Sequence, residues 1–172
     1  TTYGPPDVLQ LKEVAKPTPR ENEVLIRMHA TAVAVEDVMM RRSSGPQGLG
    51  KSRETILGTY VAGEVDAVGR RTKRFEVGNQ VFGFTGFFGR LGAYAEYACM
   101  PENGCLVSKP AHLTYEEAAA IPNGGLTALP FLRDVGRIQS GQRVLVYGAS
   151  GAVGTAAVQI ARSYGASVTG VC

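Results

Sequence analysis

The chain has 172 residues and a net charge of +3, too small a basic excess to argue for a nucleic-acid partner. Its 44% hydrophobic and 19% charged residues are those of a globular protein, with room for one large domain or one and a half small ones. No apolar stretch approaches a membrane span and no signal peptide opens the chain; the three cysteines include no C-x-x-C, which argues against a disulfide framework or zinc knuckle, so a reducing, cytoplasmic setting is expected.

In chain order, Tyr3-Gly4-Pro5-Pro6 is a turn signal, and Val8, Leu9 and Leu11 suggest a short strand that Pro17 and Pro19 break. Asn22 to Val35 is the longest strand candidate, with Val24, Ile26 and Met28 alternating against Leu25, Arg27 and His29. His29 has no metal-ligand neighbour at suitable spacing and reads as a solvated or hydrogen-bonded strand residue. Val35 to Arg42 is a short helix candidate, acidic at its start (Glu36, Asp37) and basic at its end (Arg41, Arg42), as the helix dipole prefers. Ser43 to Arg53 lacks a period and reads as a surface loop.

Ile56 to Val68 resumes as strand, interrupted by Gly58 and Gly63, which mark bulges or close backbone approach. Arg70, Arg71, Lys73 and Arg74 read as a solvated basic loop. Val77 to Phe84, Ala93 to Met100 and Leu106 to Lys109 add short strands, which together suggest a compact β-barrel. Thr114 and Glu117 form a capping-box pattern that opens a helix over Tyr115 to Ala120, halted by Pro122. Leu126 to Val135 is a second helical stretch; with Pro130 in its first turn it would start at about Thr127.

The last thirty-odd residues carry the chemistry. Arg143 to Tyr147 is a short apolar run, as expected of a buried strand. Gly148, Gly151 and Gly154 follow at once, and Val153, Ala156, Ala157, Ile160, Ala161 and Tyr164 then recur on one helix face. Gly165 sits where a left-handed cap would end that helix, and Ser167 to Val171 reads as a second strand. Strand, glycine turn, helix and strand make a βαβ unit.

A pyrophosphate needs backbone N–H groups aimed at it and no side chains in the way, and a helix start supplies both the donors and a favourable dipole. The turn Gly148, Ala149, Ser150, Gly151, Ala152 and Val153 is therefore the candidate dinucleotide-binding segment. Its spacing is a variant G-x-x-G-x-x-G, with Ala149 at the usual first glycine, and Ser150 could add a hydroxyl donor. The alternative is a Gly/Ala-rich turn needed only for packing. A P-loop is excluded, because no Gly-Lys-Ser/Thr follows.

Taken together, YGPPDVLQL (3–11), ENEVLIRMHATAV (21–33), ILGTYVAGEVDAVG (56–69), FEVGNQVFGF (75–84), GAYAEY (92–97), EEAAAIPNGGLTAL (116–129) and GQRVLVYGASGAVGTAAVQIARSYGA (141–166) resemble the medium-chain dehydrogenase/reductase superfamily, in its zinc-free quinone oxidoreductase branch. The resemblance implies an α/β-plus-β fold, a GroES-like β-barrel domain over 1–122 followed over 123–172 by the first βαβ unit of a Rossmann NAD(P)-binding domain. Against the family pattern, a strand before Thr1 and several after Cys172 are missing, so a fragment is expected.

The resemblance also implies NADPH as cofactor, with NADH open, because the residues that decide lie past the second strand. It places Thr127 and Asn123 near the nicotinamide. No zinc is expected: the positions of the metal ligands in zinc-dependent relatives hold Ala34 and Gly58-Thr59-Tyr60, and no cysteine lies near Asn123 to Thr127. Ala34-Val35 and Met39 also depart from the zinc-free pattern, which carries polar groups there, whereas Asp37 and Thr127 match it.

Without a metal, hydride transfer suits acceptors that already hold negative charge well, a small-molecule quinone or enone. Tyr60 and Tyr94 are the aromatic hydroxyls on matched motifs, and Tyr60 is the candidate proton donor. Two other readings stand beside this one, an enoyl-thioester reductase and a catalytically silent cofactor-binding or scaffold protein. Members of the family are often homodimeric.

Overall fold

A computed structural model describes residues 3–42, 56–86 and 92–172. The chain divides into two compact units, Thr1–Ala119 and Ala120–Cys172.

The first unit is built on a five-stranded antiparallel sheet in the order β4-β1-β2-β3-β5, with β1 Glu23–Ala30, β2 Tyr60–Val68, β3 Gln80–Phe84, β4 Tyr97–Pro101 and β5 Cys105–Ser108. Strand β1 lies between β4 and β2, so its first residues are buried on both faces. Val24, Ile26, Val61, Val65, Val81 and Met100 form the core. Each contributes roughly 1.5–3 kcal/mol by leaving water.

Two bulges shape the sheet. Met28 pairs with Gly63 and Ala30 with Ala62, which leaves His29 as the extra residue of β1. The bulge turns His29 onto Tyr115, their rings stacked 4.2 Å apart. Likewise Leu25 pairs with Ala67 and Ile26 with Val65, leaving Asp66 free to meet Lys16 at 2.7 Å. A β-carbon at Gly63 would stand 2.1 Å from the Arg27 carbonyl oxygen, the close approach that a glycine inside a strand signals.

The helix α1 spans Val35–Arg42, as expected. The expected strand at Val8 to Leu11 is absent; a 3-10 turn at Pro6–Val8 takes its start, and Leu11 is fully exposed. A strand needs a ladder partner, and this segment has none among the described residues. The basic loop reads as solvated: Arg70 and Arg71 both reach Glu21 and remain mostly exposed. The expected loop Ser43 to Arg53 and most of the stretch Thr85 to Gly92 lie outside the described residues.

The capping box forms as its residues predict: Thr114 N–H donates to Glu117 Oε2 at 2.8 Å, and Glu117 N–H donates to Thr114 Oγ1 at 3.2 Å. The helix it opens, α2, runs unbroken over Tyr115–Pro130, which corrects the expected halt at Pro122 and the expected restart near Thr127. Pro122 removes one helical hydrogen bond, a cost of about 3 kcal/mol in isolation. Packing offsets it: Ala118 and Ala119 are buried with Ala62 in the first unit, and Pro122, Gly124 and Ala128 are buried in the second. After Pro130 the chain widens into a π-helical turn, Phe131–Val135, closed by Gly136 N–H on the Phe131 carbonyl.

The second unit then adds β6 Arg143–Tyr147, α3 Ala152–Ser163 and β7 Ser167–Val171. Strands β6 and β7 pair in parallel, from Arg143↔Ser167 to Tyr147↔Val171, and Ile138, Ala161 and Ala166 form the small core. Gly165 takes φ +80 at the end of α3, the left-handed cap its position predicts.

Candidate coenzyme turn and barrel polar cluster

The turn between β6 and α3 is held by its own backbone. Gly148 and Ala149 both donate to the Val171 carbonyl, at 2.8 and 2.9 Å, and Gly151 donates to the Gly148 carbonyl at 3.1 Å. The first i→i−4 bond of α3 is Thr155 N–H to the Gly151 carbonyl, at 2.8 Å. The amides of Ala152, Val153 and Gly154 precede it, and no side chain caps the helix. Gly148, Ser150, Gly151, Ala152 and Val153 are exposed, and Ala149 is half-buried. An uncapped helix start with open approach is an anion site in chemical terms.

The three glycines of this turn have different reasons to be glycine. Gly148 has φ +76, a conformation that side chains resist. A β-carbon at Gly154 would stand 2.1 Å from the Gly148 carbonyl oxygen and 2.8 Å from the Ala149 α-carbon, so packing requires its absence. Gly151 has φ −75, and its β-carbon would meet only the Gly148 carbonyl oxygen, at 3.5 Å. Neither strain nor packing demands glycine there. What its bareness leaves is room for a group arriving from outside, and a diphosphate fits that cradle of amides. Asn123 is half-buried and Thr127 exposed, both on the part of α2 that belongs to this unit.

The polar groups of the first unit gather around α1 instead. Asp37 is 3% exposed; its Oδ2 accepts from Ala34 N–H at 2.9 Å, and its Oδ1 has no partner among the described residues. The Tyr60 hydroxyl donates to Glu36 Oε1, and its ring packs 5.5 Å from Phe84. Burial, then Glu36, pushes the Tyr60 hydroxyl far above the usual tyrosine range. Burial, then Asp37, does the same to Tyr94. The Tyr94 hydroxyl, Thr59 Oγ1 and Thr85 Oγ1 are buried with no hydrogen-bond partner among the described residues.

Both tyrosines therefore keep their protons at neutral pH, and Tyr60 is already committed as a donor. In the sequence Glu36 stands only as a dipole-matched helix start, and nothing local signals that it also receives Tyr60. Ala34 is half-buried and Met39 exposed. Among the described residues, no group of three or more His, Cys, Asp and Glu converges as a metal site would, and no helix is long and apolar enough to cross a membrane.

Comparison with known proteins adds to this geometry. The family described as alcohol dehydrogenase GroES-like domain matches residues 20–111. Quinone oxidoreductase from Sus scrofa is 38% identical over 169 residues, which cover 98% of this chain and 50% of that protein. The solved structure of Escherichia coli quinone oxidoreductase complexed with NADPH superposes with a TM-score of 0.83 at 31% identity, over 98% of this chain and 50% of that one. That of CurK enoyl reductase gives a TM-score of 0.86 at 30% identity, over 99% and 52%. The chain thus spans about half the length of the curated relatives it matches.

Proposed function

Because this chain belongs to the alcohol dehydrogenase GroES-like domain family, and within it to the quinone oxidoreductase branch of the medium-chain dehydrogenase/reductases, we propose that the protein reduces a quinone or electron-poor conjugated carbonyl at the expense of NADPH, without zinc. The observation that carries this reading is the bareness of Gly151 beside an uncapped helix start, a feature the fold itself does not need. When bound, the reduced nicotinamide supplies the hydride. The turn Gly148–Val153 holds the pyrophosphate through main-chain amides, and Asn123 and Thr127 add side-chain hydrogen bonds. Residues 1–122 then form the barrel domain that receives the acceptor, and 123–172 the start of the coenzyme domain.

Ala34, Thr59 and Tyr60 offer no thiolate or imidazole at the positions where zinc-dependent relatives hold the metal, which supports a zinc-free reaction. A strongly raised hydroxyl is a poor acid, and the Tyr60 proton is already engaged by Glu36. Tyr60 therefore shapes the wall of the site rather than protonating, and the proton for the reduced acceptor comes from water. Loss of a true general acid costs 10²–10⁴-fold, so turnover of Tyr60→Phe should fall by less than about tenfold. A reducing, cytoplasmic setting fits three free cysteines.

The test is a titration of the intact protein with NADPH and with NADH, followed by nicotinamide fluorescence, and then a panel of quinones and enoyl thioesters. Binding of NADPH with turnover of quinones is the expected result. Coenzyme oxidation by enoyl thioesters alone would favour the enoyl-reductase reading, which the likeness to CurK enoyl reductase keeps in view. The absence of any response to either coenzyme would end the proposal.

A further inference from the structure

We propose that Gly124 is a positioning residue for the coenzyme turn, the point where α2 seats on the first peptide of α3; the proposal rests on the coenzyme reading above. A β-carbon at Gly124 would stand 2.1 Å from the Ala152 carbonyl oxygen, 2.7 Å from its carbonyl carbon and 3.0 Å from the Ala156 β-carbon. Ala152 is the first residue of α3. Its carbonyl belongs to the peptide whose N–H is that of Val153, one of the amides offered to the anion. A group that displaces this carbonyl therefore displaces the donors with it. The obstructing atoms are main chain and cannot step aside by changing rotamer.

Gly125 shows that this is a local requirement. Both glycines sit inside α2 and each carries the same helical penalty relative to alanine. A β-carbon at Gly125 would meet only Ile121 Cγ2, at 3.6 Å, an ordinary contact. Space therefore demands the first glycine and not the second. Asn123 and Thr127 are four apart on the same helix and share a face, with Gly124 between them. The seat at Gly124 thus fixes the spacing between a main-chain anion site and two hydrogen-bonding side chains. An extended dinucleotide must satisfy both at once, and a displacement of about 1 Å in such an arrangement can cost up to 10²-fold.

The experiment compares Gly124→Ala with Gly125→Ala in the intact protein. Each is read by NADPH fluorescence titration, by the KM for NADPH against kcat, and by amide hydrogen exchange at Val153 and Gly154 without ligand. Gly124→Ala should raise the Kd and KM for NADPH by about tenfold or more and speed exchange at both amides, while Gly125→Ala changes neither. The idea is overturned if Gly124→Ala binds NADPH as the wild type does, or if Gly125→Ala weakens binding equally. Should Gly124→Ala fail to fold, the double variant Asn123→Ala/Thr127→Val decides. Weaker NADPH binding at an unchanged melting temperature supports the proposal, and unchanged binding sinks it. A wild type that binds neither reduced coenzyme overturns the underlying coenzyme reading, a different result from wild type and Gly124→Ala binding alike.

Discussion

The two units handle their polar groups in opposite ways. In Thr1–Ala119 the chemistry is in side chains and sealed: Asp37 and Thr59 are almost wholly buried, and Tyr60 closes onto Glu36. In Ala120–Cys172 it is in the main chain and open: the first amides of α3 have no side-chain cap and follow an exposed turn with little side chain on it. Two carboxyls beside two tyrosines make an environment hostile to a further negative charge. Uncapped amides at a helix start make one that welcomes it. The contrast agrees with the proposed division of labour, an anionic carrier on the second unit and a neutral acceptor on the first.

Gly154→Ala breaks this contrast with the largest effect. Its new β-carbon would run into the backbone of Gly148 and Ala149, so the open turn would have to deform. Destabilisation of about 3 kcal/mol is expected, the upper end for overpacking because the neighbours are main chain. Urea denaturation should show it as a lowered midpoint, with coenzyme binding lost alongside.

A smaller effect tests the sealed side. Tyr60→Phe strips the half-buried Glu36 carboxyl of its donor, and hydrogen bonds to charged groups are worth about 1.5–3 kcal/mol. Tyr94→Phe removes a hydroxyl with no well-formed bond and should change stability by less than about 1 kcal/mol in either direction. Their pH profiles share one feature. A tyrosine raised in the folded state contributes stability that is complete below the unfolded value of about 10 and is lost as pH rises through the folded value. The alkaline limb of the stability curve should therefore flatten in both variants, which leaves the loss at neutral pH to tell them apart. Equal losses of stability in the two variants would contradict the assignment of Glu36 to Tyr60.

The same groups separate what neighbouring residues announce from what only the folded chain brings together. The capping box at Thr114, the dipole-matched ends of α1 and the strand-turn-helix-strand order from Arg143 to Val171 are local patterns, and the chain obeys them, although β6 is buried only at Val146 and not along its length as its apolar run suggests. Tyr60 and Glu36 are 24 residues apart and meet only because β2 and α1 fold together, so no spacing announces them. The passage of α2 through Pro122 is of the same kind, since intrinsic propensity votes for a break and tertiary burial overrides it. A Gly-Gly pair inside a helix is costly unless something needs the room, so the sequence does hint at Gly124. Which of the two glycines needs that room depends on the distance to Ala152, and no local pattern carries that distance.

Gly151→Ala is gentler and separates binding from folding. The added methyl meets only one atom, at 3.5 Å, so stability should stay within about 0.5 kcal/mol of wild type. If the open turn exists to receive a diphosphate, NADPH affinity should fall by about tenfold, which is ~1.4 kcal/mol. Native stability with full affinity would show that the glycine serves neither purpose, and the packing explanation of the turn would return.

The smallest expected effect belongs to Glu102, which ties the basic loop to the sheet by the device proposed for the coenzyme turn, main-chain amides around an anion. Its Oε2 accepts from the N–H groups of Lys73 and Arg74, each at 2.8 Å, and the Arg74 guanidinium donates to the Glu102 carbonyl. Those amides, Lys73 first, hold the carboxyl below its usual range. A carboxylate depressed in the folded state adds stability above the unfolded value of about 4.3 and loses it as pH falls through the folded value. Glu102→Gln keeps an acceptor oxygen in place but no charge. Wild type and variant should therefore differ most in melting temperature near neutrality and converge as the solution is acidified below about pH 4. A difference that stayed constant with pH would assign the loss to packing, and the likeness between this loop and the coenzyme turn would then be one of shape alone.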